Sequence, residues 1–110
     1  MLIWNIEFYP PEGEKHSPFD FIMSMDNEVD RNAIIHRLET MQQLEIPDWS
    51  ADWTHHFENK IWQLTVKKYR VMYCLDGKTI VVLHAFKKQG QKTGKKDKRR
   101  ALNHFDAYFT

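Results

Sequence analysis

The chain places three basic side chains within four consecutive positions, at Lys67, Lys68 and Arg70. The planar guanidinium of arginine contacts two phosphate oxygens at once, and long lysine side chains reach a phosphate from a bend. The spacing therefore predicts a phosphate-binding and catalytic group, with Arg70 on a strand and the two lysines at or near the turn before it. Two other interpretations stay open: Arg70 pairs with a carboxylate of the helical region, or the two lysines form a solvated turn.

The adjacent residues His55 and His56 are the candidates for proton transfer. Imidazole gains and loses a proton near neutral pH, so either ring is suited to act as a general acid or base. Neighbouring side chains of an extended segment point in opposite directions, so we expect only one of the two to serve. The alternative is that both are exposed linker residues without a role.

The formal net charge of +1 conceals a division of charge between the two parts of the chain. Residues 1–59 carry 3 basic and 12 acidic side chains, a net charge of −9, whereas residues 60–110 carry 13 basic and 3 acidic side chains, a net charge of +10. The basic part predicts a polyanionic partner, and Lys95 and Lys96 add non-specific attraction for phosphate. A solvated basic face is the alternative.

The composition, with 42% hydrophobic and 28% charged residues, predicts one globular domain over residues 1–110. No apolar run approaches the roughly 18 residues that a membrane span needs, and the N-terminus shows no signal peptide, so we expect no membrane contact. The single cysteine, Cys74, suits a reducing cytoplasm. No Cys or His spacing resembles a zinc site, and we expect neither a metal nor another cofactor.

Apolar periodicity and turn signals predict an α+β fold. The predicted elements are a strand at 3–8, two helices beginning after the caps Ser17 and Asn27 and ending near residue 44, a connector at 46–60, strands at 61–66, 69–75 and 79–86 with a turn at Asp76-Gly77, and a helix at 95–108. This order indicates an N-terminal strand, a helical hairpin on one face of a small antiparallel sheet of about four strands, and a C-terminal helix.

Side chains on the third predicted strand alternate between the two faces of the sheet. Arg70 therefore faces the side opposite to Val71 and Tyr73. We interpret Cys74 and His84 as core residues, because each lies among apolar residues of a strand.

Several strings along the chain carry a resemblance to a known family. They are Trp4-Asn5-Ile6-Glu7-Phe8-Tyr9, Ser17-Pro18-Phe19-Asp20-Phe21, Ile61-Trp62-Gln63-Leu64, Tyr69-Arg70-Val71-Met72-Tyr73, Leu83-His84-Ala85-Phe86 and Gln91-Lys92-Thr93. In this order and spacing, the strings resemble the RelE/HigB superfamily of toxins from bacterial type II toxin–antitoxin pairs, and most of all its phage-derived HigB-like branch. The resemblance covers nearly the whole chain and implies a RelE-like fold.

The resemblance implies an mRNA interferase, an endoribonuclease that enters the ribosomal A site and cleaves mRNA by metal-independent attack of the 2′-hydroxyl. The implied partners are mRNA, the ribosome and a cognate antitoxin, in this branch often a HigA-like helix-turn-helix protein. Together with the charge pattern, it gives catalytic candidates Arg70, Lys68, Lys67, His55 and His56, and RNA-binding candidates Lys88, Lys92, Lys95, Lys96 and Tyr108. Core packing is the alternative for Tyr108.

The chain departs from the branch at two positions. Thr65 stands where the branch usually has arginine, and Gly94 stands where it usually has proline. Some relatives in the superfamily poison DNA gyrase instead of cleaving RNA, and fold alone does not decide the target. A ParE-like gyrase-inhibiting toxin and a catalytically inactive phage-derived binding module therefore remain alternatives.

Overall fold

Five strands form one mixed sheet, with two helices on one face and a third helix on the other. The computed structural model describes residues 2–90 and 93–110. The elements in chain order are β1 Asn5–Phe8, α1 Pro18–Met23, α2 Glu28–Gln42, a 3-10 turn Ile46–Asp48, β2 Thr54–Glu58, β3 Ile61–Val66, β4 Tyr69–Asp76, β5 Thr79–Lys87 and α3 Lys95–Tyr108. None of the helices in this described part is long and apolar enough to cross a membrane.

The strand order is β1-β5-β4-β3-β2, which makes β1 and β2 the edge strands. β1 runs parallel to β5, with Asn5 opposite Thr79, and the other neighbours are antiparallel. The fold class α+β is confirmed, but the expectation of a purely antiparallel sheet of about four strands is wrong. A parallel pair joins segments that are far apart in sequence, here separated by both helices of the hairpin, so it leaves no local sequence signal.

The predicted connector at 46–60 contains the fifth strand. Thr54–Glu58 forms β2, which pairs with β3 so that Thr54 lies opposite Leu64, with an irregularity between His56 and Glu58. His55 and His56 are two consecutive polar residues, and both are exposed. The segment therefore lacks the alternation of apolar and polar residues that predicts a strand. Pairing with β3, and not the side-chain pattern of β2 itself, makes this segment extended.

Two apolar cores lie on the two faces of the sheet. Val71 and Tyr73 of β4 are buried on the side of α1 and α2, whereas Met72 and Cys74 are buried on the side of α3. The predicted alternation along β4 is thus confirmed, and Arg70 belongs to the α3 face. Burial raises the pKa of the Cys74 thiol to about 12, which agrees with its interpretation as a core residue.

The local signals for the helix starts are confirmed, and the predicted hairpin forms between β4 and β5, but its two-residue turn is Gly77-Lys78 and not Asp76-Gly77. Ser17 Oγ accepts the Asp20 N–H at 3.4 Å and caps α1, and Asn27 Oδ1 accepts the Asp30 N–H at 3.0 Å and caps α2. Gly77 has a φ of +58°, as the tight turn between β4 and β5 requires. The two caps fix where α1 and α2 begin, and the turn places β5 beside β4, the strand that carries Arg70.

Candidate functional site

Two registered rows of side chains build a surface on the α3 side of the sheet, which we call the Arg70 face. Its residues, in order across the strands, are His55, Gln63, Met72 and His84 in one row and Thr65, Arg70 and Phe86 in the next. Neighbouring strands are about 4.8 Å apart, and residues two apart on one strand are separated by about 6.7 Å. The register therefore brings His55, Gln63, Thr65 and Arg70 from three neighbouring strands to the same face of the sheet, beside the buried Met72 and Phe86.

Arg70 is half-buried at the centre of this face. Its Nη1 donates to the carbonyl oxygens of Lys67 at 3.0 Å and Tyr69 at 2.9 Å. Its Nε is buried and has no hydrogen-bond partner among the described residues, and none of the ion pairs found in that part of the chain involves Arg70. The pairing with a carboxylate of the helical hairpin is therefore not found, and the guanidinium is held in place with donor capacity left for a ligand.

Two lysines lie beside Arg70 at the same end of the sheet. The backbone N–H of Lys88 donates to the carbonyl oxygen of Lys68 at 2.8 Å, which fixes the segment after β5 next to the β3–β4 turn. Lys68 is exposed, and Lys88 is half-buried. The structure thus brings together Arg70, Lys68 and Lys88, three of the residues that the sequence singled out.

Lys67 belongs to the same turn but is directed elsewhere. It has a φ of +55°, and its Nζ lies 3.1 Å from Asp30 Oδ1 of α2. Its ammonium is therefore on the side of the helical hairpin, while its carbonyl oxygen accepts the hydrogen bond from Arg70. In this arrangement Lys67 braces the turn that carries Arg70 through its backbone.

The two histidines of β2 face opposite sides of the sheet. His55 pairs in register with Gln63 on the Arg70 face, and its Cα is about 12 Å from that of Arg70 by strand spacing. His56 lies on the other side, where its Nε2 is 2.7 Å from the Asn59 carbonyl oxygen and its ring contacts Trp62. Of the two, only His55 shares the face of Arg70, as the expectation that just one could serve requires.

A buried hydrogen bond fixes the start of α3 on this face. His84 is 7% exposed, and its Nε2–H donates to Asp97 Oδ1 at 2.8 Å. Its ring stacks on Phe86, whose cross-strand partner is Arg70. The interpretation of His84 as a core residue is confirmed, and the hydrogen bond to Asp97 satisfies the imidazole that burial would otherwise leave unpaired.

A second contact holds the residues just before α3. Thr93 Oγ1 donates to Gln63 Oε1 at 3.3 Å. Together with the bond between His84 and Asp97, it places the exposed residues Lys95 and Lys96 at the border of the Arg70 face. Gln63, Thr93 and Asp97 were not among the site residues predicted from the sequence. The available signal was Asp97, the single acidic residue among positions 95–100 at an otherwise basic helix start.

All residues of the Arg70 face lie within a segment of the chain that matches the model of a known protein family. The family model described as phage-derived protein Gp49-like (DUF891) matches residues 20–106. The chain belongs to the Gp49-like family of phage-derived proteins. The match includes every residue of the Arg70 face, from His55 to Phe86, and also Asp97 of α3, but not β1. No curated protein matches the chain.

Some of the predicted RNA-binding residues lie elsewhere in this Gp49-like chain. The hydroxyl of Tyr108 donates to Asp76 Oδ2 at 2.9 Å, at the far end of β4, about 20 Å along the strand from Arg70. Burial, followed by the hydrogen bond to Asp76, raises the pKa of Tyr108 to about 12. Tyr108 also packs edge-to-face on Tyr9 with ring centroids 5.4 Å apart, so its contacts are those of a packing residue. Lys92 lies outside the described residues.

No metal site accompanies the basic cluster in the described part of the Gp49-like chain. Among residues 2–90 and 93–110, no three His, Cys, Asp or Glu side chains come together in an arrangement that could hold a metal ion. The groups on and around the Arg70 face are guanidinium, ammonium and imidazole groups, which bind phosphate and exchange protons.

The buried histidine predicts a pH dependence of stability. Burial lowers the pKa of His84 from 6.5, against the opposing effect of Asp97, with smaller contributions from His104 and Arg100. The pKa of His84 is lower in the folded protein than in the unfolded chain. As pH falls through 6.5, the unfolded chain therefore binds more protons than the folded protein, and the free energy of unfolding decreases. We expect the His84→Gln variant, which cannot take up this proton, to show a shallower decrease.

Urea unfolding of both proteins between about pH 7.5 and pH 5 measures this difference. The pKa of His16 is also lowered, but His16 is present in both proteins, so its contribution cancels in the comparison. Parallel stability curves for the two proteins would contradict the prediction, because they would show that His84 takes up its proton as readily in the folded protein as in the unfolded chain.

Proposed function

We propose that this Gp49-like protein is the toxin of a type II toxin–antitoxin pair and, as its resemblance to the RelE/HigB superfamily implies, a ribosome-dependent mRNA endoribonuclease. The observation that carries the proposal is the state of Arg70. Its guanidinium is half-buried, is held through one nitrogen by two carbonyl oxygens, and has an unpaired Nε among the described residues. A buried donor without an acceptor is costly, and a phosphate oxygen is the acceptor that a guanidinium fits best.

The proposed reaction needs no metal. The 2′-hydroxyl of a ribose attacks the adjacent phosphorus, the bond from phosphorus to the 5′-oxygen breaks, and the products end in a 2′,3′-cyclic phosphate and a 5′-hydroxyl. The proton leaves the 2′-oxygen for a base, and another proton reaches the 5′-oxygen. Arg70 stabilises the negative charge that develops on the phosphoryl oxygens, with Lys68 and Lys88 beside it.

His55 is the proposed proton-transfer group. It is exposed and shares the face of Arg70, at a separation that leaves room for a ribose and a phosphate between the two side chains. His84 has a lowered pKa, lies under α3 and is bonded to Asp97, so we assign it a positioning role at the start of the helix. The exposed ammonium groups of Lys95 and Lys96 add attraction for the RNA backbone.

The departure at Thr65 lies next to the proposed phosphate site. Thr65 is the direct cross-strand partner of Arg70, so the arginine that the resembled branch usually carries would stand beside it. In this chain a threonine takes that place, and phosphate binding falls to Arg70 with the two neighbouring lysines. In the proposed reaction, Arg70 is therefore the single guanidinium that stabilises the negative charge of the transition state.

The proposed partners follow from the same family resemblance. A toxin of this kind is held inactive by a cognate antitoxin, here proposed as a HigA-like helix-turn-helix protein, and acts on mRNA bound to the ribosome. Because the surface around Arg70 is positively charged, we propose that an acidic segment of the antitoxin binds to it. Co-purification with the product of the adjacent reading frame is the direct check of this pairing.

Induced expression of the chain followed by mapping of RNA ends tests the activity. We expect growth arrest and new termini within translated messages, carrying 2′,3′-cyclic phosphate, while the same RNA left untranslated stays intact. DNA breaks without cleaved messages would replace the proposal by gyrase inhibition. Normal growth at full expression would overturn both and favour an inactive binding module.

A further inference from the structure

A second surface with the features of a binding site lies on the sheet face opposite to Arg70. A cavity of about 270 Å3 opens between the 3-10 turn and the edge of the sheet. Its lining includes Ile46, Trp49, Thr54, Trp62 and Tyr73. We call it the Trp62 pocket, and none of its residues belongs to the Arg70 face.

Two large apolar side chains at this pocket are exposed to solvent. Ile46 is 48% exposed and Trp62 is 39% exposed, although both lie next to buried aromatic residues. The ring of His56 packs edge-on against Trp62 at 5.3 Å, and His56 is itself held by the Asn59 carbonyl oxygen. An exposed, oriented tryptophan beside a cavity is typical of the centre of a protein interface.

The polar atoms inside the pocket are already bonded within the protein. Trp49 Nε1 donates to the carbonyl oxygens of Met41 at 3.2 Å and Leu44 at 3.1 Å. The hydroxyls of Thr54 and Tyr73 are hydrogen-bonded to each other. Because these groups have partners, the interior favours an apolar occupant over a polar small molecule.

The segment that forms one wall of the pocket is acidic. Residues 45–52 contain three carboxylates, those of Glu45, Asp48 and Asp52, and neither lysine nor arginine. All three are exposed, and none takes part in an ion pair within the described residues. This rim disfavours an RNA backbone and attracts a positively charged segment.

We propose that the Trp62 pocket binds a segment of a partner protein that inserts one aromatic or branched apolar side chain and carries lysine or arginine on either side of it. The apolar side chain fills the cavity against Trp62 and Ile46. The flanking cations lie against the carboxylates of residues 45–52. This site is separate from the Arg70 face, and the inference does not depend on ribonuclease activity.

Selection from a displayed library of random peptides on the immobilised full chain tests the proposal. We expect enriched peptides to share an aromatic or branched residue flanked by lysine or arginine. The affinity of one enriched peptide, measured by calorimetry, should fall about thirtyfold in an Ile46→Ser/Trp62→Ala variant, as for loss of a buried interface anchor. An Asp48→Lys/Asp52→Lys variant should bind about tenfold more weakly.

A matched control replaces exposed apolar residues outside the pocket. The Leu2→Ser/Val29→Ser variant should bind the peptide like the wild type, since both side chains are exposed and do not line the cavity. Thermal melts establish that the compared variants are folded, and Ile46→Ser alone should show a smaller loss in the same direction.

Three results would overturn the proposal. They are the absence of enrichment, enrichment of acidic peptides or of peptides without an apolar residue, and equal binding to the Ile46→Ser/Trp62→Ala variant. A concentration-dependent dimer in sedimentation that disappears with Trp62→Ala would assign the pocket to a second copy of the chain instead. RNA cleavage by these variants is scored separately, so failure of this inference is distinguishable from failure of the proposed function.

Discussion

Replacement of Arg70 by alanine is expected to lower the rate of mRNA cleavage by about 100- to 1000-fold, the usual cost of removing a preorganised donor to transition-state charge. The expectation rests on the contacts that hold the guanidinium at the centre of the Arg70 face and leave its Nε unpaired among the described residues. The measurement is single-turnover cleavage of a message on programmed ribosomes. An Arg70→Ala rate within about threefold of the wild type would contradict the assignment of this site.

Two further variants separate the role of Arg70 from general charge and from folding. Arg70→Lys keeps the positive charge but loses the planar pair of donors, and we expect it to remain at least about tenfold slower than the wild type. Lys60→Ala removes an exposed cation at the turn between β2 and β3 and should leave the rate unchanged. Thermal melts of all three proteins test whether a lost rate reflects a lost fold.

Replacement of Tyr73 by alanine is expected to lower the free energy of unfolding by about 3–5 kcal/mol, as for other large aromatic side chains removed from a core. Tyr73 is 1% exposed and packs edge-to-face on Trp49 with ring centroids 6.1 Å apart. Its hydroxyl is bonded to Thr54, which joins β4 to the edge strand β2. The free energy of unfolding of a small domain is about 5–15 kcal/mol in total, so this single change removes a large share of its stability.

The matched variant Tyr73→Phe keeps the ring and removes the hydroxyl. This variant should lower the free energy of unfolding by about 1 kcal/mol, the net contribution of one hydrogen bond. Urea unfolding and thermal melts give the two values, and the alanine variant should melt at least about 12 °C below the wild type. Equal losses for the two variants would place the stabilisation in the hydroxyl bond and not in the buried ring.

Much of the candidate site could be predicted because it depends on neighbours in the chain. Lys68 and Arg70 lie close together in any hairpin, and the alternation of β4 decides that Arg70 faces away from Tyr73. The opposite orientation of His55 and His56 follows from the same rule once the segment is extended. That this extended segment forms a strand of the sheet was not predictable, because β2 has no apolar alternation and depends on pairing with β3.

Other parts of the site depend on partners far away in sequence. Lys67 is adjacent to Lys68, yet its ammonium is taken up by Asp30 of α2, at 3.1 Å. Tyr108 was expected to contact RNA, but the direction of α3 across the sheet carries it to Asp76 at the far end of β4. The resemblance to a known family supplied roles for these residues without supplying the contacts that direct their side chains.

The sequence by itself determined the elements whose free energy comes from a few adjacent residues. The caps Ser17 and Asn27 and the bounds Ile61–Val66 and Lys95–Tyr108 agree with the structure for this reason, and the predicted hairpin turn differs from the observed one by a single residue. Periodicity and turn chemistry are local properties, and they act in the same way wherever the segment lies in the fold.

The tertiary structure alone decided which distant segments meet. The parallel pairing of β1 with β5, the contact between His84 and Asp97 and the Trp62 pocket join residues from separate elements. Their formation depends on the burial of two apolar cores and on the satisfaction of polar groups across the whole chain at once. No short stretch of sequence carries that information, because the free energy is shared among segments that become neighbours only when the sheet has formed.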